Sequence, residues 1–155
     1  MISPERLRRF PFFGKFNDAQ LRSLAMITVE IDYPSGTILF EEGKPASSLY
    51  LLIDGGVDLT FKSEEKFHPK TSKIFQLGEI NPGEVFGISA VIEPNIYTAT
   101  STAAKDCLVL QIDSKALQAI IESDIDFGYI LIRQIAKTAL ERLATTRVQL
   151  AAAWA

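Results

Sequence analysis

The apolar and polar positions along the chain divide it into three parts. Residues 1–27 include a run with helical spacing, and residues 28–113 consist of short alternating or apolar runs between Gly, Pro, Asn and Asp clusters. Helical spacing returns over residues 114–155. The pattern predicts an N-terminal helical segment, a roll of about eight strands and a C-terminal pair of helices. It shows no repeat and no linker, so we expect a single domain over residues 1–155.

The helical parts also contain residues that start helices. Asn17 or Asp18 is placed to cap a short N-terminal helix. Ser114 is placed to cap the first C-terminal helix, and a break near residues 123–124 separates it from a long helix that starts at about Asp126. These signals predict where three helices begin.

The long helix has an apolar stripe at three- and four-residue steps. Its members are Ile132, Ile135, Ala136, Ala139, Leu140, Leu143, Leu150 and Trp154. The stripe continues beyond what a roll of this size can cover, and such a face is usually buried against a partner copy. We therefore expect a homodimer formed through this helix.

Composition and charge narrow the class of protein. The chain of 155 residues is 47% apolar, which fits a folded domain, and its net charge of −3 does not favour a broad grip on nucleic acid. No apolar run approaches the ~18 residues of a membrane span, and the N-terminus lacks a signal-peptide pattern. The single cysteine, Cys107, lies in an apolar strand and excludes an internal disulfide. We expect a cytoplasmic protein with no membrane contact and a buried, structural Cys107.

The sequence gives no support for catalysis. It has no P-loop, no Gly-x-Ser-x-Gly motif and no metal-ligand spacing, and its carboxylates lie beside turns without a suitable base. The only histidine, His68, lies in a polar stretch over residues 62–73 that is typical of a solvated hairpin tip. We expect no enzyme activity, no metal and no cofactor.

Several segments of the strand block have a combination of residues that is more specific than any short motif. They are YPSGTILFEEG (33–43), LYLLIDG (49–55), PGEVFG (82–87) and TAT (98–100). Together they resemble the cyclic nucleotide-binding domain, the effector module of the catabolite-activator family and of cyclic-nucleotide-gated kinases and channels. The resemblance covers about residues 10–150. It implies a mainly β fold with flanking helices, in which a jelly-roll-like β-roll (a double-stranded β-helix) carries an N-terminal helix and a C-terminal helix pair with a long dimerisation helix.

The resemblance also implies a site for a small effector between residues 83–89 and 97–100, capped by the last helix. Backbone N–H groups of a turn can hold a compact anion, and a glycine allows the chain to approach it closely. The implied ligand contacts are Val85, Gly87, Ile88, Ser89, Ala90, Tyr97, Thr98, Thr100 and Thr146. The expected ligand is a cyclic nucleotide or another anionic small molecule.

Two positions depart from the family members that bind cyclic nucleotides tightly. Ile88 stands where those members have a Glu that holds the ribose 2′-hydroxyl, and Tyr97 stands where they have an Arg that pairs with the phosphate. A charge-assisted Arg–phosphate pair contributes ~1.5–3 kcal/mol, so its loss weakens binding by roughly tenfold to a hundredfold. We therefore expect weaker binding of cyclic nucleotides than in those members.

Two interpretations of the altered site stay open. In one, the domain is a non-enzymatic sensor that acts through the C-terminal dimer helix. Its ligand is neutral or less charged than a cyclic nucleotide and contacts the backbone of residues 87–89 and the hydroxyls of Ser89, Tyr97, Thr98 and Thr100. In the other, the pocket is vestigial and the domain is a dimerisation or protein-interaction module. In the family the last helix leads into a DNA-reading helix-turn-helix, but here the sequence stops at Ala155, so we expect no direct contact with nucleic acid.

Overall fold

Two antiparallel sheets of four strands each form the body of the protein. The computed structural model describes residues 2–65 and 68–155, except for the side chains of residues 63–72. The strands are β1 (Thr28–Tyr33), β2 (Ile38–Phe40), β3 (Ser48–Asp54), β4 (Val57–Glu65), β5 (His68–Ile80), β6 (Val85–Phe86), β7 (Thr100–Ala103) and β8 (Cys107–Asp113).

Helices precede and follow the strands. They are α1 (Pro4–Arg8), α2 (Asp18–Met26), α3 (Ser114–Ser123) and α4 (Ile125–Ala153), and short 3₁₀ turns cover Pro11–Phe13 and Ile88–Ala90. This order of helices, strands and helices confirms the arrangement predicted from the sequence pattern. No helix in the described ranges is long and apolar enough to span a bilayer.

The ends of the helices largely follow the predicted signals. Asn17 caps α2 through a reciprocal pair of hydrogen bonds with Gln20, as predicted. The predicted cap at Ser114 is wrong, because the cap of α3 is Asp113, whose extended backbone lets its carboxylate accept the N–H of Ala116 at 2.9 Å. Asp124 caps α4, which places the break between the two helices where the sequence indicated it.

The sheets wind together as a jelly-roll-like roll. One sheet has the strand order β1-β8-β3-β6 and the other has the order β2-β7-β4-β5, so neighbouring strands are mostly distant in the chain. β8 is central to the first sheet and pairs with β1 from Thr28↔Ile112 to Tyr33↔Cys107. The predicted fold class, a mainly β roll with flanking helices, is confirmed.

The polar stretch over residues 62–73 is strand over most of its length and not a hairpin tip. β4 and β5 pair from Val57↔Ile80 to Glu65↔His68, so both strands extend into this stretch. Strands pair through their backbone groups, and a polar strand therefore lacks the apolar–polar alternation that reveals a strand in a sequence. Residues 66–67 and the side chain of His68 lie outside the described residues, so the predicted tip itself is not described.

The hydrophobic core lies between the two sheets and continues under the helices. Phe16 and Phe127 stack with ring centroids 4.7 Å apart, which joins the N-terminal segment to α4. Cys107 is buried, as predicted, and burial raises the pKa of its thiol. The predicted apolar stripe of α4 divides: Ile135 is only 2% exposed and belongs to this core, whereas Ile132 and Leu143 are 41% and 45% exposed.

Candidate ligand-binding site

A cavity of about 240 Å³ lies between the β-roll and helix α4 and opens to solvent. Its lining combines strand residues, the turn after β6 and one face of α4. The lining residues are Phe40, Leu59, Leu77, Gly78, Glu79, Glu84, Gly87, Ile88, Ser89, Tyr97, Thr98, Ala99, Thr138, Glu141, Arg142, Thr145 and Thr146. The cavity therefore lies between the two segments predicted to contact a ligand, and α4 forms one of its walls.

The turn over residues 87–90, which we call the cassette turn, presents unpaired backbone donors. Gly87 has φ of 72°, a left-handed conformation that turns the chain out of β6. The N–H of Ala90 donates to the carbonyl of Gly87 at 3.1 Å. The N–H groups of Ile88 and Ser89 donate to no acceptor in the part of the chain that the structure describes. These two N–H groups are available to an acceptor atom of a ligand.

Gly87 is required by its surroundings as well as by its dihedral angle. A Cβ at this position would lie 3.1 Å from Cδ2 of Tyr50 and 3.2 Å from the carbonyl oxygen of Ser48. These are protein atoms, so the absence of a side chain at residue 87 is explained by packing without reference to a ligand. The sequence-based explanation, close approach to an anion, is not needed to account for the glycine.

Asn95 holds the cassette turn through hydrogen bonds, a role that sequence reasoning missed. It adopts φ of 59°, which Asn tolerates better than most residues. Its side-chain amide donates to the carbonyl oxygens of Ser89 and Ala90 at 3.1 and 3.2 Å. The Pro-Asn pair in the sequence marks a turn, but it does not reveal these two hydrogen bonds.

Tyr97 lines the cavity, but its hydroxyl is engaged by the backbone of the protein. The side chain is 4% exposed, and its ring stacks on Phe40 with centroids 3.9 Å apart. The hydroxyl donates to the carbonyl of Ser48 at 2.6 Å and accepts the N–H of Ser48 at 3.1 Å. The hydroxyl was predicted to contact a ligand. The structure corrects this prediction, since the hydroxyl already donates one hydrogen bond and accepts another. Burial raises the pKa of Tyr97, which keeps the ring neutral.

The other predicted contacts divide between the cavity and its surroundings. Ser89, Thr98 and Thr146 line the cavity, although the hydroxyl of Thr146 also donates to the carbonyl of Arg142 at 2.9 Å. Three predicted contacts are not among the lining residues: Val85, Ala90 and Thr100. Val85 and Ala90 are buried, and the hydroxyl of Thr100 accepts the N–H of Glu42 at 3.1 Å.

Arg142 is the main site residue that sequence reasoning missed. It lines the cavity from α4, and its Nη2 donates to the carbonyl oxygen of Val85. Burial lowers the pKa of its guanidinium, while Glu84 and Glu141 oppose that shift. No carboxylate oxygen lies within 4.0 Å of it among the described side chains. A sequence signal did exist, because Arg142 stands one helical turn before Thr146 and so shares its face of α4.

The walls of the cavity differ in polarity. An apolar wall is formed by Phe40, Leu59, Leu77 and Ile88, and the rim carries the exposed carboxylates of Glu79, Glu84 and Glu141. Ordinary small-molecule sites have this combination of apolar walls and a few polar groups. Among the described residues no group of three or more His, Cys, Asp or Glu side chains could hold a metal ion. The arrangement suits a small organic ligand with an apolar face and polar edges.

Comparisons with known proteins agree with this geometry. The model of the family described as "Cyclic nucleotide-binding domain" matches residues 30–124. A protein of Geobacter metallireducens named as a cyclic nucleotide-binding protein is 34% identical, with a TM-score of 0.79, over 92% of this chain and 99% of that one. The N-terminal domain of a transcriptional regulator from Streptomyces coelicolor is 28% identical, with a TM-score of 0.67, over 87% of this chain and 92% of that one.

A curated relative is similar at lower identity. The CRP-like cAMP-activated global transcriptional regulator of Mycobacterium tuberculosis is 25% identical over 127 residues, which cover 80% of this chain and 54% of the regulator. The chain thus spans about half the length of this relative.

Proposed function

The chain belongs to the cyclic nucleotide-binding domain family, and we propose that it is a ligand-sensing regulatory domain whose effector binds between the cassette turn and α4. One observation carries this proposal: residues of the β-roll and residues of α4 line the same cavity. A ligand there contacts both elements at once. It therefore changes the position or stability of α4 relative to the roll, to the extent that it binds one arrangement more tightly than another.

Cyclic nucleotides are the first ligands to test. The Mycobacterium tuberculosis relative is cAMP-activated, and the unpaired N–H groups of Ile88 and Ser89 suit a phosphate oxygen. Ile88 and Tyr97 replace the carboxylate and the guanidinium of the tight-binding members, so the expected affinity is lower than theirs. A test must therefore extend to millimolar ligand.

Thermal denaturation with a ligand panel tests the proposal. Cyclic AMP, cyclic GMP, adenosine and guanosine are each added up to millimolar concentration. Binding at a hundredfold excess over Kd stabilises the native state by ~2.7 kcal/mol, so we expect at least one member to raise Tm by roughly 5–10 °C. No shift with any member would contradict the proposal.

A pair of variants on α4 shows whether such a shift comes from this cavity. Thr146→Trp places a large side chain in the lining and should remove the shift, whereas Ala151→Trp lies five residues further along, outside the lining, and should keep it. A shift that survives Thr146→Trp would place the ligand elsewhere.

We also propose that α4 forms a homodimer with a second copy of the chain. The exposed part of its stripe consists of Ile132, Ala136, Ala139, Leu140, Leu143, Leu150 and Trp154. These residues recur at three- and four-residue steps on one face, which is the pattern of a helix buried against a two-fold partner. An effector that contacts the inner face of the same helix then acts directly on the dimer.

Light scattering after gel filtration tests the dimer. Leu143→Asp places a charge in the proposed interface, so we expect the mass to fall from about two chains to about one. Val148→Asp is the matched control: Val148 is 70% exposed and lies about 140° around the helix from Leu143, so this variant should keep the mass of the wild type. A wild-type chain that is monomeric at high concentration would refute the dimer.

The alternative function is a dimerisation or interaction module whose cavity binds no ligand. The occupied hydroxyl of Tyr97 and the apolar Ile88 favour it, because both remove polar contacts from the site. The thermal panel and the light-scattering experiment together separate the two: this module gives a dimer and no ligand-induced shift.

A further inference from the structure

We propose that Arg142 supplies the positive charge for an anionic group of the ligand, in place of the cation that is absent at Tyr97. The inference rests on the proposed function, since it identifies the chemical class of the ligand and the residue that selects it. It follows from the contacts of Arg142, from the unpaired N–H groups of the cassette turn and from the polarity of the rim.

Arg142 is a half-buried cation with no ion pair among the described side chains. Its side chain is packed between α4 and β6, and no carboxylate oxygen among the described side chains lies within 4.0 Å of it. Burial lowers the pKa of this guanidinium, and a charge that is partly removed from water is stabilised when it pairs with an opposite charge. An anion in the cavity would provide the missing partner.

The hydrogen bond to Val85 holds the guanidinium in place while leaving donors free. A guanidinium has five N–H donors, and the bond from Nη2 to the carbonyl of Val85 occupies one of them. Because Arg142 also lines the cavity, remaining donors are accessible to a bound group. A side chain fixed in this way loses little conformational entropy when it pairs with an anion.

The cassette turn supplies further donors to the same cavity. The N–H groups of Ile88 and Ser89 have no acceptor in the described part of the chain, and both residues line the same cavity as Arg142. A compact oxyanion such as a phosphate diester, held between these N–H groups and Arg142, joins the cassette turn to α4. The anionic group of the ligand thereby contacts both the roll and the helix.

The carboxylates at the rim of the cavity indicate which groups a ligand carries besides its anionic group. Glu79, Glu84 and Glu141 line the cavity and are exposed, so they repel a ligand that consists only of negative charge. A ligand with hydrogen-bond donors at a distance from its anionic group avoids this repulsion, because carboxylates accept such donors. The structure thus favours a molecule that combines one anionic group with hydroxyl or amino groups, as a nucleotide does, over inorganic phosphate.

Calorimetric titration of variants with a charged and a neutral probe tests the inference. Cyclic AMP is the anionic probe and adenosine is the neutral one. We expect Arg142→Gln to weaken cyclic AMP binding by about tenfold to a hundredfold and to change adenosine binding by less than about twofold. Arg142→Lys keeps the charge but not the planar donors, so it should lose less affinity for cyclic AMP than Arg142→Gln. Arg147→Gln, an exposed arginine of α4 outside the lining, should bind both probes like the wild type.

The possible failures are distinguishable. Equal weakening of both probes by Arg142→Gln, or no weakening of either, overturns the role of Arg142 and leaves the sensor function standing. If the wild type binds adenosine but not cyclic AMP, the role of Arg142 is likewise overturned and the sensor function stands. If no member of the panel binds the wild type, the proposed function fails and this inference fails with it. If Arg142→Gln does not fold, Arg142→Lys is titrated in its place. Weaker binding of cyclic AMP with unchanged binding of adenosine then supports the inference, and unchanged binding of both probes overturns it.

Discussion

Replacing Tyr97 with arginine, the residue that tight-binding family members have at this position, will lower the free energy of unfolding by about 3–5 kcal/mol and will not create tight cyclic nucleotide binding. The ring of Tyr97 lies in an aromatic stack on Phe40, and its hydroxyl holds both backbone polar groups of Ser48. An arginine would leave these groups unpaired and would place a charge in a site that is 4% exposed. Urea denaturation measures the first effect and calorimetry with cyclic AMP the second.

Tyr97→Phe is the control that separates the hydroxyl from the ring. It removes the hydrogen bonds to Ser48 and keeps the stack, so we expect a loss of about 1–3 kcal/mol. If Tyr97→Arg is as stable as the wild type and binds cyclic AMP at least about tenfold more tightly, then residue 97 can face the ligand, and our description of the site is wrong.

Gly87→Ala has the second largest expected effect, about 2–5 kcal/mol of lost stability together with loss of ligand binding. A left-handed conformation costs an L-residue about 1–2 kcal/mol, and overpacking adds about 1–3 kcal/mol. The new Cβ would approach Tyr50 and the carbonyl of Ser48 at 3.1 and 3.2 Å, so the cassette turn must move. Thermal denaturation and ligand titration measure the two effects.

Gly83→Ala is the matched control, because Gly83 also has a positive φ, of 90°, but a Cβ there would meet no atom within 4 Å. It should therefore show only the conformational part of the loss, about 1–2 kcal/mol. Equal losses for the two variants would show that packing around residue 87 is unimportant, contrary to the structure.

The fold could be predicted because its signals are local or periodic. Turn residues separate the strands, caps such as Asn17 start the helices, and the alternation of apolar residues marks strands with one buried face. The errors have local causes as well. Asp113 and Ser114 are adjacent residues that can both cap a helix, and the choice between them depends on the backbone angles at the end of β8.

The segments that line the cavity could be predicted from the sequence, but the atoms available there could not, because they depend on contacts between distant parts of the chain. The hydroxyl of Tyr97 is occupied by Ser48, which is 49 positions away. Arg142 reaches the cavity because α4 packs beside β6, which puts its guanidinium on the carbonyl of Val85, 57 positions away. Residue type and spacing indicated which segments meet, and the packing decides which atoms remain free for a ligand.

Amide hydrogen exchange with and without cyclic AMP tests the central claim, that a ligand joins the cassette turn to α4. In the free protein the N–H groups of Ile88 and Ser89 have no acceptor within the described residues, so their exchange should be fast. With saturating cyclic AMP we predict slower exchange at these two amides and, together with it, in α4 over residues 138–146. Slower exchange in only one of the two elements, or in neither, would contradict the claim.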